Sequence, residues 1–115
     1  MIREINVLDA KDIQEICKDE LGYDVDIKTV KMQIEKLSID YKHHIIVVYE
    51  DKKTSKVVGF VHAEMYESLY SDIGLNILGL AVNSNFQGKG IGKKLMVFVE
   101  EYALNKNILV RKLYK

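Results

Sequence analysis

Residues 82–93 read VNSNFQGKGIGK, and this segment decides the fold because it joins an apolar, β-branched stretch to an amphipathic one. Its glycines at positions 88, 90 and 92 leave backbone amides free to converge on an anion. The start of the following helix adds unpaired amides and the positive end of a helix dipole. The segment therefore predicts a phosphate-binding loop between a buried strand and a helix.

The spacing of these glycines excludes two common phosphate-binding motifs. A P-loop needs a second glycine five residues after Gly88, where this sequence has Lys93. A dinucleotide-binding GxGxxG loop also needs glycine at position 93, and an acidic residue about 20 positions later, where this chain is already in its lysine-rich end. A plain strand-to-helix turn is the simpler alternative, and three glycines in this context make it the weaker one.

Apolar periodicity on either side of the loop predicts the remaining elements. We expect strands over 1–6, 44–50, 57–67 and 73–82, helices over 10–20, from 27 to about 37 and over about 13 residues from 91, and a short last strand within 107–115. Asp9 and Asp26 are predicted N-caps, and Gly22 a helix stop. The order β-αα-β-β-β-α-(β) predicts one α+β domain over 1–115, with a mixed, mostly antiparallel sheet flanked by helices.

The strand over 73–82 carries a nearly continuous apolar run. Such a run is typical of a strand that is covered on both faces. We therefore expect both faces of this strand to be covered.

Composition excludes several classes of protein. The 115 residues carry 17 basic and 17 acidic side chains, and Arg3 and Arg111 are the only arginines, which disfavours a nucleic-acid partner. No apolar stretch approaches the roughly 20 residues of a membrane-spanning helix, so we expect no membrane association. Cys17 is the only cysteine, which excludes an internal disulfide and a CxxC metal site and favours a reducing, cytoplasmic location. We expect no metal site, because the adjacent His43 and His44 would point to opposite sides of a strand.

The hexad Gln87-Gly88-Lys89-Gly90-Ile91-Gly92 matches the acetyl-CoA loop of the GNAT family of N-acetyltransferases. That pattern is Arg or Gln, two variable residues, Gly, one variable residue, then Gly or Ala. The chain resembles this family in element order as well, so the resemblance covers nearly its whole length. Ser84 is a departure, since the family often has proline there.

The resemblance implies an N-acetyltransferase that moves an acetyl group from acetyl-CoA to a primary amine of a small molecule or peptide. It implies that the backbone of the strand end binds the pantetheine arm, and that the loop amides bind the pyrophosphate with Lys89 or Lys93 nearby. The implied cofactor-binding residues are Leu80, Ala81, Val82, Gln87, Gly88, Lys89, Gly90, Ile91, Gly92 and Lys93.

The strand before the loop strand is where we expect the general base. His62, Glu64 and Tyr66 share one of its faces with Phe60, because alternate residues of a strand point the same way. We predict His62 or Glu64 as the base, directly or through water, and Tyr66 or Tyr70 as part of the acceptor pocket. A solvated sheet face is the alternative for each of these residues.

The resemblance also implies elements that this sequence does not reach. Family members usually continue after the loop helix with a splayed strand, a helix and two further strands, whereas only 107–115 remain here. We expect a C-terminally shortened member, in which Tyr102 and Tyr114 are the remaining candidates for the acid that protonates the leaving thiolate. Two alternatives stay open: an enzyme completed as a homodimer through its open sheet edge, and a weakly active or inactive CoA-binding or dimerising module.

Overall fold

The computed structural model describes residues 1–106 and the backbone of 109–111. Its elements are β1 (Ile2–Glu4), α1 (Ala10–Leu21), α2 (Ile27–Ile39), β2 (His44–Glu50), β3 (Val57–Ser68), β4 (Ser71–Val82), α3 (Ile91–Asn105) and β5 (Leu109–Arg111), with 3₁₀ turns at Val7–Asp9 and Ser84–Phe86. The strands form one sheet in the order β1-β2-β3-β4-β5. Strands β1 to β4 are antiparallel neighbours and β5 is parallel to β4, which confirms the predicted α+β fold. No helix in this described part is long and apolar enough to cross a membrane.

The core has two layers, one on each face of the sheet. On one face Leu95 and Val99 of α3 are fully buried against the apolar side of β2, β3 and β4. On the other face Ile13 and Ile16 of α1 pack against Phe60. Since side chains alternate along β3, the face that carries Phe60 also carries the predicted base residues.

The ends of α1 and α2 follow the sequence, with one exception. Gly22 ends α1 in the left-handed conformation, and the Asp26 carboxylate accepts a 2.7 Å hydrogen bond from the Thr29 amide at the start of α2. Asp9 is the N-cap residue of α1, as predicted, but the 3₁₀ turn places its backbone in the helical region and its carboxylate makes no capping hydrogen bond to the described helix. The Asp9 carboxylate instead accepts two hydrogen bonds from Arg3, at 2.9 and 2.8 Å. The Arg3 guanidinium therefore has a structural role, in which it links β1 to the turn before α1.

A bulge interrupts β4 at Leu78. The β3–β4 register pairs His62 with Gly79 and Ala63 with Ile77, so Leu78 has no partner across the strands. Its side chain is 48% exposed. The prediction that this strand is covered on both faces is therefore wrong at the bulge.

The far edge of β4 is paired over a short stretch. Strand β5 pairs with Gly74, Leu75 and Asn76, all before the bulge. From Ile77 to Val82, β4 pairs only with β3 within the described chain. Among the described residues, the backbone of this second half is therefore open on one side.

The start of α3 sits close above β3 because Gly59 has no side chain. A Cβ at Gly59 would lie 3.2 Å from the Ala81 carbonyl oxygen and 3.3 Å from the Ile91 Cγ2 atom. Both distances are tighter than ordinary van der Waals contact, so a side chain would push α3 away. This close approach holds the N-terminus of α3 beside the end of β4.

Candidate active site

A cleft of about 440 Å³ opens between the end of β4 and the N-terminus of α3. Its lining includes every residue that the sequence predicts for cofactor binding except Lys89. The Lys89 ammonium lies instead 5.0 Å from the centroid of the Phe86 ring. We call this the cofactor cleft, and of the two candidate lysines Lys93 is the one that lines it.

The loop glycines shape the floor of the cofactor cleft. Gly88 and Gly90 have φ angles of 81° and 79°, a conformation that costs other residues about 1–2 kcal/mol. Nothing lies within 4 Å of a Cβ built at either glycine, so the backbone conformation and not packing requires them. The open space beside both residues is also what a close-lying phosphate needs.

The first turn of α3 leaves amide groups unpaired. The first intrahelical hydrogen bond runs from the Lys94 amide to the Gly90 carbonyl at 3.0 Å, so the amides of Ile91, Gly92 and Lys93 precede it. No side chain in the described part of the chain caps this helix start. The unpaired amides and the helix dipole therefore present positive potential to the cleft.

Glu20 of α1 also lines the cofactor cleft, and sequence reasoning missed it. Its carboxylate accepts hydrogen bonds from the Ser84 amide at 3.0 Å and from Gln87 Nε2 at 3.2 Å, while Gln87 Nε2 also donates to the Val82 carbonyl. The Ser84 amide is a group that proline, frequent there in the family, lacks. Glu20 thus ties α1 to the loop, at the cost of a negative charge in a cleft suited to anions.

A second cleft, of about 330 Å³, lies between α1, α2 and the sheet. Its walls are mainly aliphatic and aromatic, with His62, Leu78 and Gly79 on the sheet side, and we call it the apolar cleft. Cys17, predicted as core, is half-buried in its wall, and burial raises the pKa of its thiol. Leu21 lines both clefts, so the two are neighbours.

The His62 ring is hydrogen-bonded to a second histidine, His44, a contact that was not predicted from the sequence. His44 Nδ1 and His62 Nε2 lie 2.9 Å apart. The contact arises from the β2–β3 register, which pairs His62 with Ile46 and places His44 two residues along the same face. His62 lines the apolar cleft, and His44 lines a third cleft of about 260 Å³ at the edge of β2.

Burial, with a smaller effect of His44, lowers the pKa of His62 from 6.5 to about 4. His62 is therefore neutral at pH 7. A hydrogen bond between two ring nitrogens needs one N–H and one lone pair, so one of the two imidazoles donates to the other. The pair forms a connected polar path from the apolar cleft to the third cleft.

Glu64 and Tyr66 lie on the same face of β3 as His62, as predicted. Glu64 is opposite His44 in the β2–β3 register and opposite Asn76 in the β3–β4 register. The lining of the apolar cleft includes His62 but neither Glu64 nor Tyr66. Tyr66 is half-buried and has interactions of its own. His62 is thus the predicted base that directly faces the apolar cleft.

The other tyrosines and His43 lie elsewhere. Tyr70 is 94% exposed in the turn between β3 and β4. Tyr102 lines the third cleft at the edge of β2, on the opposite side of the sheet from the open edge of β4. Tyr114 lies outside the described residues. His43 precedes β2 in a turn and contacts Asp40 at 2.7 Å, so it is not on the strand as predicted.

Asn76 is a buried polar residue within the apolar run of β4. It is 7% exposed, and its Oδ1 atom has no hydrogen-bond partner among the described residues. An unpaired buried acceptor costs about 1–3 kcal/mol. Because Asn76 pairs with Glu64 across the strands, the orphaned oxygen lies on the face of the predicted base.

Comparison with known proteins matches the chain to one family. A model described as "Acetyltransferase (GNAT) family" matches residues 10–114. No curated protein sequence matches the chain. The matched residues include the loop and every lining residue of the cofactor and apolar clefts except Ile5.

Solved structures share the fold at low sequence identity. Glucosamine-6-phosphate N-acetyltransferase from Arabidopsis thaliana is 20% identical with a TM-score of 0.86, covering 100% of this chain and 82% of that one. A GNAT family acetyltransferase from Staphylococcus aureus is 22% identical with a TM-score of 0.81, covering 100% and 85%. An aminoglycoside acetyltransferase from an uncultured soil sample, in complex with sisomicin, is 22% identical with a TM-score of 0.74, covering 100% and 77%.

The lowered pKa of His62 makes a prediction about stability. Unfolding restores the ordinary pKa, so between pH 6.5 and about 4 the unfolded chain binds a proton that the folded chain does not. Stability should therefore fall as the pH falls through this window. We expect the wild type to lose on the order of 2 kcal/mol of unfolding free energy relative to His62→Gln, after allowing for solvent screening.

Urea denaturation at several pH values measures this difference. Lys42→Gln is the matched control, because Lys42 is exposed and carries no imidazole, and its free energy of unfolding should vary with pH as that of the wild type does. If the free energies of unfolding of the wild type and of His62→Gln vary with pH in the same way, the pKa of His62 is not lowered by folding.

Proposed function

The chain belongs to the acetyltransferase (GNAT) family, and we propose that it transfers an acetyl group from acetyl-CoA to a primary amine of a small molecule or peptide. One observation carries the proposal: the open half of β4 runs directly into the left-handed glycine loop and the uncapped start of α3. In acetyl-CoA an extended pantetheine arm is joined to a pyrophosphate. The arm fits the open half of β4, and the pyrophosphate fits the glycine loop and the helix start.

The cofactor cleft supplies the groups that would hold acetyl-CoA. The amides from Gly88 to Lys93 bind the pyrophosphate, and the Lys93 ammonium adds charge. The backbone of Leu80, Ala81 and Val82 pairs with the pantetheine arm as an added strand would. When bound, acetyl-CoA supplies an acetyl thioester. The predicted homodimer would use this same open edge, and both it and the cytoplasmic location stay predictions.

His62 is the general base of this proposal. Acetyl transfer forms a C–N bond and breaks the C–S bond; the amine must lose a proton, and the departing CoA thiolate gains one from water. Because the amine nitrogen becomes a much stronger acid as the C–N bond forms, even a histidine with a lowered pKa can accept this proton. His44, 2.9 Å away, then takes a proton from His62 and passes it toward the third cleft.

Glu64 and Tyr66 have supporting roles in the proposal. Glu64 is the alternative base, acting through water, and Tyr66 helps to form the wall on that face. The acceptor is an amine, a view supported by two structural relatives, one named for glucosamine-6-phosphate and one crystallised with the aminoglycoside sisomicin.

Gly90→Asp tests the cofactor cleft. It places a carboxylate against the bound pyrophosphate, whereas Gly90→Ala brings only the backbone strain. We expect Gly90→Asp to weaken CoA binding at least about tenfold more than Gly90→Ala, since each tenfold is about 1.4 kcal/mol. Isothermal titration calorimetry measures both affinities, and equal values for the two variants would refute the placement of the pyrophosphate.

Glu20→Gln tests the electrostatics of the same cleft. The amide keeps an oxygen that accepts from Ser84 or Gln87 but removes a negative charge beside the bound pyrophosphate. We expect CoA to bind several-fold tighter, an effect that shrinks with added salt. Asp19→Asn is the control, because it removes the same charge from an exposed neighbouring position. Unchanged or weaker affinity in Glu20→Gln would show that the carboxylate does not face the ligand.

Paired substitutions identify the base and test turnover itself. We expect His62→Gln to lower kcat by about 100-fold, the usual contribution of a general base, and Glu64→Gln to lower it much less. Glu67→Gln is the exposed control on the same strand. Release of free CoA thiol measures the rate. A larger loss of kcat in Glu64→Gln than in His62→Gln would identify Glu64 as the base. CoA binding without acetylation of any amine would identify the chain as a CoA-binding module instead.

A further inference from the structure

The apolar cleft lies where an acceptor has to enter. It meets the cofactor cleft at Leu21, which lines both clefts. The part of its sheet wall that comes from β4 is formed by Leu78 and Gly79. These two residues immediately precede Leu80 on the open half of β4. An amine in the apolar cleft is therefore next to the strand that would carry the acetyl-bearing arm.

The lining of the apolar cleft carries no fixed charge. No Asp, Glu, Lys or Arg is among its lining residues in the described part of the chain. Its titratable members are Cys17, Tyr23 and His62, and burial raises the pKa of Cys17 and lowers that of His62. The Cys17 thiol and the His62 imidazole are therefore neutral at pH 7. A phosphate or a second ammonium group of an acceptor would thus find no counter-charge in this cleft.

From this lining we infer that the acceptor is a small primary amine on an apolar alkyl or aryl body, with no phosphate and no second cationic group. The inference rests on the proposed acetyl transfer and names its substrate class. Removing an unpaired charge from water costs several kcal/mol, whereas burying alkyl or aryl surface is favourable.

The same surroundings prepare the amine for reaction. A cleft without carboxylates disfavours an ammonium ion, because desolvation lowers the pKa of a buried amine. The amine therefore binds in its neutral, nucleophilic form more readily than it would beside an acidic wall. On the sheet side of the cleft, His62 is the polar side chain that would contact the reacting nitrogen.

Size and the rim limit the body of the acceptor. A volume of about 330 Å³ is near the lower end of the range of roughly 300–1,000 Å³ for ligand pockets, which suits a small body. Tyr23 and Val25, in the loop between α1 and α2, line the cleft and are 65% and 37% exposed. Apolar side chains left in water at the mouth gain from contact with an apolar ligand.

A competition between amine classes tests the inference. We expect 2-phenylethylamine and hexylamine to be acetylated with kcat/KM at least about tenfold above that of glucosamine 6-phosphate or spermidine. Faster acetylation of the two hydrophilic amines would overturn the inference and leave acetyl transfer intact. The rate is again the release of free CoA thiol.

Charged substitutions locate the effect in the apolar cleft. Val30→Asp puts a carboxylate in the wall from α2, and Val25→Glu does so at the rim, where the side chain is already partly exposed and folding is not at risk. Both should lower kcat/KM for 2-phenylethylamine at least about threefold while CoA affinity is unchanged. Met32→Asp is the control, because Met32 lies on α2 with 60% exposure and is outside the lining. Equal rates for Val25→Glu and Met32→Asp would overturn the inference.

Failure of the proposed function is distinguishable from failure of the inference. If CoA binds but no amine is acetylated, acetyl transfer is wrong, and calorimetric titration of 2-phenylethylamine into the CoA-loaded protein decides the ligand class. Binding that Val25→Glu weakens and Met32→Asp does not supports an apolar amine ligand. No heat from 2-phenylethylamine, or tighter binding of spermidine, overturns it.

Discussion

Strand β4 is held by β3 along one side, but on the other side the described part of β5 pairs with no residue beyond Gly74 to Asn76. The bulge at Leu78 follows directly and bends the strand at the point where the second pairing ends. An unpaired row of backbone amides and carbonyls is costly unless water or a ligand satisfies it. Both clefts border this half-strand, so its incomplete pairing is the constraint on which the proposed site depends.

The two clefts divide the chemistry by their electrostatics. The cofactor cleft gathers backbone amides at the start of α3 together with Lys93, and Glu20 is the acidic side chain that opposes them. The apolar cleft has neutral walls and reaches a polar path through His62 and His44. In the proposed reaction, an anionic cofactor and a neutral amine would each meet an environment that suits its charge, in neighbouring clefts along the same half of β4.

The sequence predicted the features that local physics governs. The glycine loop was recognisable because left-handed backbone positions at Gly88 and Gly90 call for glycine, and periodicity located the helices and strands. Asp9 lies at the predicted N-cap position, but its side chain pairs with Arg3 and does not cap α1, because that choice depends on how β1 meets the following turn.

Contacts between distant segments of the chain could not be predicted from local sequence patterns. Glu20 reaches Ser84 across 64 positions, and His44 reaches His62 across 18. Both contacts depend on strand register and helix placement, which no local pattern contains. The apolar run of β4 was similarly ambiguous, because lining a cleft and filling a core require the same residue types.

Amide chemical shifts during a CoA titration report directly on whether the loop and the end of β4 hold the cofactor. We expect the amides of Gly88, Gly90 and Gly92 to shift downfield as they bind the pyrophosphate. We also expect the backbone amides from Leu80 to Val82 to shift and gain protection from hydrogen exchange, as those of a newly paired strand do. Unchanged shifts in both segments at saturating CoA, or shifts confined to another face of the sheet, would contradict this placement of the cofactor.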